Sequence, residues 1–250
     1  MIGGSIDLTQ TPNILLAGLA AADKEAIQPF LRRFKLNVRT TIEDRNMPIE
    51  TAHFLESGLV SIVASTTQDR QVEVGIIGRE GMTGLSLLLG GLQSPNVSIV
   101  QVAGTSLGIN GRQLADLMDA RPSLRHRLDL FVQSFLVQMS QTTLANSKAN
   151  IDRRLARWLL MVGDRADGER ILLTHEFISI MLGVRRAAVT VALHNLEGEY
   201  LIRASRGVIA IRDREALCAF ANGIYGVAEA EYERLLGASI FSHRQSIAAE

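Results

Sequence analysis

The sequence has one cysteine, Cys218, among 250 residues. No intrachain disulfide can form, and a cysteine-ligated iron–sulfur cluster lacks ligands. Such sparing use of cysteine fits a reducing compartment, and the chain is expected in the cytoplasm. Aromatic residues are scarce at 5%, so a core must be built from Leu, Ile, Val and Ala within the 47% apolar fraction. That apolar content excludes wholesale disorder. The formal net charge is zero, which by itself speaks neither for nor against a polyanionic partner. No apolar run approaches the ~18 residues of a membrane span. The apolar stretch at residues 14–22 comes before the first basic residue, Lys24, the reverse of a secretory leader. No membrane association is expected.

The charge is unevenly spread. Residues 1–120 carry 9 basic and 12 acidic side chains, and residues 121–149 carry 4 and 1. Residues 150–214 carry 11 and 8, and residues 215–250 carry 2 and 5. A mildly basic centre between acidic ends suits a phosphate-binding face and equally an ordinary solvated surface.

Residues 12–34 read as a short helical lead-in, anchored by Leu15, Leu16, Leu19, Ile27, Phe30 and Leu31. From 36 to 111 short β-branched runs alternate with glycines, at residues 54–63, 72–77, 97–102 and 107–109. This pattern predicts an antiparallel sandwich or barrel. From Ser123 to Trp158 there is neither Gly nor Pro, and Pro122 stands where a helix can begin. Leu124, Leu128, Phe131, Phe135, Gln138, Thr142, Ala145 and Ala149 follow spacings of four and three, a heptad-like seam. A helix of about 30 residues would run roughly 45 Å, too long for a small sandwich to cover. The seam (Leu124, Leu128, Phe131, Phe135 and Thr142 above all) is therefore expected to meet the same helix of a second subunit. In the next segment, 151–162, Trp158 lies among Leu155, Leu159 and Val162 and reads as core.

Residues 173–212 carry the strongest signal. Thr174 is a helix N-cap and Glu176 complements the positive helix end. Phe177, Ile178, Met181 and Leu182 give a short helix a buried side, and Gly183 supplies a tight turn. A second helix over about 185–197 buries Val189, Ala192, Leu193 and Leu196. Its other face shows Arg186, Ala187, Thr190, Val191 and His194. Two helices around a glycine turn in about 24 residues fit a helix-turn-helix, whose second helix enters the major groove of DNA. Leu201 to Ile211 then reads as a β-hairpin tipped by Ser205-Arg206-Gly207, a wing.

Here the sequence resembles the Crp/Fnr superfamily of transcription regulators. The resemblance rests on Arg154-Leu155-Ala156-Arg157-Trp158-Leu159-Leu160, Leu173-Thr174, Met181-Leu182-Gly183-Val184-Arg185-Arg186, Val189-Thr190 and Leu201-Ile202 through Ser205-Arg206-Gly207. Upstream, Glu56-Ser57-Gly58-Leu59-Val60 and Gly78-Arg79-Glu80-Gly81-Met82-Thr83-Gly84 resemble the superfamily's cyclic-nucleotide-binding-like β-roll. In order, these motifs span about residues 12–225. The implied fold class is α+β: an N-terminal antiparallel β-roll sensor (1–120), a long dimerisation helix (121–150), and a winged helix-turn-helix with a C-terminal helical tail (151–250). The implied partners are double-stranded DNA, a second copy of the chain and, for an activator, RNA polymerase.

The resemblance also implies roles. Arg186 would read a base, and Arg185, at the N-cap, would hold a phosphate. Thr190 and His194 would touch a base edge or the backbone. Arg206 in the wing and Thr174 would reach phosphates, which set register rather than sequence preference. Better-known members carry an acid directly after the base-reading Arg and a second Arg four positions further. Here those positions hold Ala187 and Val191, which can only contact a thymine methyl. The preferred site should therefore differ from the familiar ones.

The implied effector pocket is Gly81, Met82, Thr83, Gly84 and Leu85. A cyclic-nucleotide site needs an Arg for the phosphate and a Glu for the ribose. Residues 81–98 contain neither, and Leu85 stands about where that Glu would fall. Cyclic-nucleotide binding is thereby disfavoured. A nonpolar effector of unknown identity and an empty roll stay open alternatives. His53 and Met47 are the conceivable haem ligands, but a lone His in a strand region suits a structural role. No cofactor, metal set or catalytic residue is assigned, because neither Arg79-Glu80 nor His175-Glu176 belongs to a nucleophile–base set. The competing reading is a ligand-binding signalling module that acts through protein partners rather than DNA.

Overall fold

The structure is a computed structural model that describes residues 6–67, 71–165, 170–205 and 207–240. Two short helices, α1 (Ile14–Ala17) and α2 (Ala21–Ile27), open the described chain. Asn13 caps α1 by accepting from the Leu16 amide, and its own side-chain amide donates to the Leu55 and Gly81 carbonyls at 2.8 Å each. The lead-in is less helical than expected, because Arg32 onward extends into a strand.

Seven strands follow: β1 (Arg32–Leu36), β2 (Thr41–Glu43), β3 (Thr51–Leu55), β4 (Leu59–Ser65), β5 (Gln71–Ile77), β6 (Val97–Val102) and β7 (Gly104–Asn110). A short helix, α3 (Leu85–Leu88), interrupts them. They form two antiparallel sheets, β1-β7-β3 and β2-β6-β4-β5. The four apolar runs legible in the sequence coincide with β3–β4, β5, β6 and β7. Alternation sends Phe54, Leu107 and Ile109 into one cluster and Val60, Ile77 and Val100 into another.

Helices α4 (Gly111–Ala120) and α5 (Pro122–Lys148) come next. Proline at the first position starts α5 without losing a hydrogen bond. The seam of α5 is taken up by its own chain, which corrects the sequence expectation. Leu124, Leu128 and Phe131 are buried with Leu15, Phe54 and Met82, and Phe135 is buried with Val60 and Val100. Gln138 bonds both the amide and the carbonyl of Ile76, and Thr142 accepts from Arg157 and donates to the Gln138 carbonyl. The physical reason is that the roll's open face is itself apolar and reaches further along the helix than the length argument allowed. The solvent side of α5 is a different face, with Leu136 54% and Leu144 44% exposed.

The rest comprises α6 (Ile151–Arg165), β8 (Arg170–Leu172), α7 (His175–Leu182), α8 (Arg186–Gly198), β9 (Ile202–Ser205), β10 (Val208–Ile211), α9 (Arg214–Phe220) and α10 (Val227–Leu236). Residues 155–165 of α6 are all buried, because α6 lies between the four-stranded sheet and the helices after it. Trp158 is core, as expected, and its indole donates to Glu73 of β5 at 2.7 Å. Helix α10 does not pack with the helix-turn-helix. Tyr232, Leu236 and Ile240 are buried with Leu15, Leu124 and Leu128.

Among the described residues no single helix is long and apolar enough to cross a membrane, and no group of three or more His, Cys, Asp and Glu could hold a metal ion.

Candidate nucleic-acid interface

Helix α7 forms where the sequence places it. Thr174 accepts from the Phe177 amide at 3.2 Å, and Glu176 lies in the first turn. Gly183 ends the helix at φ 61°, with its amide turned back to Ile180 and the Val184 amide to Ser179. That left-handed step is cheap only for glycine. It redirects the chain so that α7 and α8 meet at 103°, within the range of a helix-turn-helix.

Helix α8 buries Val189, Ala192, Leu193 and Leu196 against α6 and α7. Its outer face presents Arg186, Ala187, Val191 and His194 to solvent, with Val191 59% exposed. Arg185 is the N-cap residue and makes no side-chain capping bond, so its guanidinium is exposed rather than engaged at the helix end. Thr190 is half-buried. Its hydroxyl donates to the Arg186 carbonyl at 3.3 Å and lies 3.1 Å from His175 Nδ1, a link between the two helices that periodicity could not reveal.

The wing is the antiparallel hairpin β9–β10, turned at Gly207 with φ 75°. Strand β8 joins it as a third strand in the order β8-β10-β9, a pairing that the sequence left unread. Arg206 lies outside the described residues. Arg203 on β9 and Arg212 just after β10 are exposed on the same hairpin. Alternation with buried Ile202 was the signal that could have found Arg203.

The five candidate effector residues do not line one cavity. Gly81 is closed off by Phe131, whose ring would meet an added Cβ at 2.3 Å. Met82 and Thr83 are fully buried, and Thr83 trades backbone and hydroxyl bonds with His53. Leu85 lines a cavity of about 160 Å³ between the roll and α5, shared with Glu43, Ile62, Ser98, Phe135 and Met139. Glu43 was missed. Its carboxyl accepts from the Gly84 amide and from the Ser98 hydroxyl, at 2.8 Å for the latter. An internal acid thus holds both donors.

His53 is buried, edge-on to Phe34 and 3.0 Å from the Ser106 hydroxyl, and burial depresses its pKa to about 4. It is a neutral core imidazole. Met47 is 57% exposed.

Residues 153–220 match the Crp-like helix-turn-helix domain model. They form a Crp-like helix-turn-helix domain. Solved structures extend the likeness to the fold of most of the chain. FixK2 from Bradyrhizobium japonicum superposes with a TM-score of 0.67 at 16% identity, covering 76% of this chain and 96% of that one. The c-di-GMP-responsive global regulator CLP from Xanthomonas campestris gives 0.63 at 16%, covering 78% and 100%. A CRP-family transcriptional regulator from Thermus thermophilus gives 0.62 at 22%, covering 77% and 97%. Among curated proteins no match is found. The domain match covers residues 153–220, and the solved structures share the fold of most of the chain. The matched range takes in nearly all of α6 and the whole of α7 to α9, so it includes both the exposed face of α8 and the helix that docks on the roll.

Proposed function

We propose that the chain is a Crp/Fnr-type transcription regulator that binds double-stranded DNA as a homodimer in the cytoplasm. The observation that carries this is the outer face of α8. It is an exposed row of Arg186, Ala187, Val191 and His194, with half-buried Thr190 between them, on a helix fixed at 103° to its neighbour. Arg186 reads a guanine edge, Arg185 and Thr174 hold phosphates, and Ala187 and Val191 contact thymine methyls. Arg203 and Arg212 in the wing add phosphate contacts, alongside Arg206. Residues 1–120 are the sensor, 121–150 the dimerisation helix and 151–250 the DNA-binding region with its tail.

Exposure supports a dimer face. Leu136 and Leu144 on α5, with Leu89 (70% exposed) and Leu92 (72% exposed) on the loop after α3, leave apolar surface in water. A second copy covers it.

The roll cavity does not suit an anionic nucleotide, because Glu43 already occupies the amide and hydroxyl donors. Any effector there is small and largely apolar, held by Leu85, Ile62, Phe135 and Met139. RNA polymerase is the further partner if the protein activates.

Fluorescence anisotropy on duplex DNA at several salt concentrations tests the reading. Phosphate contacts predict log K falling with log salt by about 0.9 per phosphate neutralised. A flat response, or capture of protein but no DNA, favours a module that works through protein partners.

A further inference from the structure

The matched domain ends at residue 220. The chain then returns to the N-terminal half. In the connecting loop Asn222, Gly223 and Gly226 all have positive φ. Beyond it, the Tyr232 phenol donates to the Glu80 carbonyl at 2.6 Å. Leu236 and Ile240 are buried beside Leu15 and Leu124. The helix-turn-helix unit is thus held at both ends. Helix α6 is docked on β5 before it, and α10 is docked on α5 after it.

We propose that residues 227–240 are an intrachain strap that holds the helix-turn-helix unit against the β-roll and restrains DNA binding. The docked position narrows the approach a DNA backbone needs. In a helix-turn-helix the first helix crosses the phosphate backbone. Here Thr174 and Glu176, at the start of α7, form one wall of a cleft of about 340 Å³ whose other wall is Arg39 and Gln71 of the roll. The turn at Gly183 rests on Val72, which an added Cβ would meet at 3.4 Å. Thr174 and Glu176 are exposed, and a duplex backbone reaching them has to enter that cleft beside the roll. Swinging the unit clear requires slack in α6 or in the strap. Helix α6 stays tied to the roll, since Arg165 and Trp158 bond buried carboxyls there, so the unit can only pivot about α6 and needs slack at its far end. The strap removes it at the other end. Opening would therefore be set by whatever loosens α10 from α5.

The restraint rests on the DNA-binding reading, so the test has two readouts. An insertion of about ten Gly/Ser residues after Gly223, with a free reach of roughly 17 Å, lengthens the loop while α10 keeps its seat. An added side chain at Gly223 meets nothing within 4 Å. Amide exchange in α7 and α8 should rise by about tenfold, with α5, α6 and α10 still protected. Affinity for a mixed-sequence duplex at low salt should rise several-fold. Tyr232→Phe, which keeps the ring and removes only the bond to Glu80, should move both readouts the same way by less. Unchanged exchange overturns the strap. Faster exchange with unchanged or weaker DNA affinity overturns the restraint. If neither the parent nor the insertion variant retains any duplex, the DNA-binding reading falls and the restraint with it, while exchange still judges the strap.

Discussion

Arg165 of α6 donates through Nε to Glu80 of the β-roll at 2.6 Å, and both side chains are almost wholly out of water. The pair crosses from the Crp-like domain into the N-terminal sheets. Burial works against the guanidinium, but Glu80, Glu229 and Asp164 together raise its pKa and keep it charged. Removing one partner strands the other. Glu80→Gln or Arg165→Met should each cost about 3–5 kcal/mol, and replacing both with apolar residues should cost less than either alone. Urea denaturation of the three variants checks this. Single variants within about 1 kcal/mol of the parent would mean that the junction is wet and loose.

Glu73 gives the same junction a pH dependence. It is buried in β5, accepts from Trp158 and Ser61, and burial pushes its pKa up from 4.5 to about 7. Arg157 and Arg165 pull the other way but less strongly. The folded state therefore favours the protonated acid. Its stability contribution is complete below about pH 4.5 and is lost as pH rises through about 7. Glu73→Gln keeps an acceptor for the Trp158 indole and carries no charge. The variant should match the parent near pH 5 and exceed it at pH 8, by at most about 3 kcal/mol. Thermal melts at both values decide it. A constant difference across this range would contradict the assignment.

Two glycines should respond to alanine with opposite signs. At Gly81 a Cβ would overlap the Phe131 ring at 2.3 Å, so Gly81→Ala should cost about 1–3 kcal/mol. At Gly198, the last residue of α8, nothing lies within 4 Å and φ is not positive. Gly198→Ala should therefore stabilise by about 0.4–1 kcal/mol. Chemical denaturation of both reports directly on the packing of α5 and the freedom of the end of α8.

The exposed face of α5 should hold the second subunit. Leu136→Glu should shift light scattering from dimer to monomer without lowering the melting temperature of the monomer, because Leu136 contributes little to its own core. Substituting Leu128, which is fully buried within the subunit, should instead unfold it. A dimer that survives Leu136→Glu would move the interface elsewhere.

Much of this architecture was readable in the sequence, for identifiable reasons. Several of the β-runs alternate and glycines punctuate them, and their apolar residues all fall within strands. Thr174, Gly183 and the buried quartet of α8 follow local rules of capping, turning and spacing, and these do not depend on the rest of the molecule. The seam of α5 misled because a heptad records only that a face is apolar, not whose surface covers it. Leu124 and Phe131 meet their own roll. Glu43, the Glu80–Arg165 pair and the return of α10 were invisible for a related reason. Each joins residues 41 to 152 positions apart, and no local pattern encodes such a pairing. In the effector stretch Gly81 meets Phe131, Thr83 meets His53 and Gly84 meets Glu43, again pairings too far apart in the chain for a local pattern to encode.

The central claim is that α8 reads DNA through Arg186. The most direct measurement selects a preferred duplex from a random pool, then compares the parent with Arg186→Ala by fluorescence anisotropy at fixed salt. The account predicts a loss of about 1–3 kcal/mol in binding and a relaxed preference at one base position in each half-site. Unchanged affinity and an unchanged preference would contradict it.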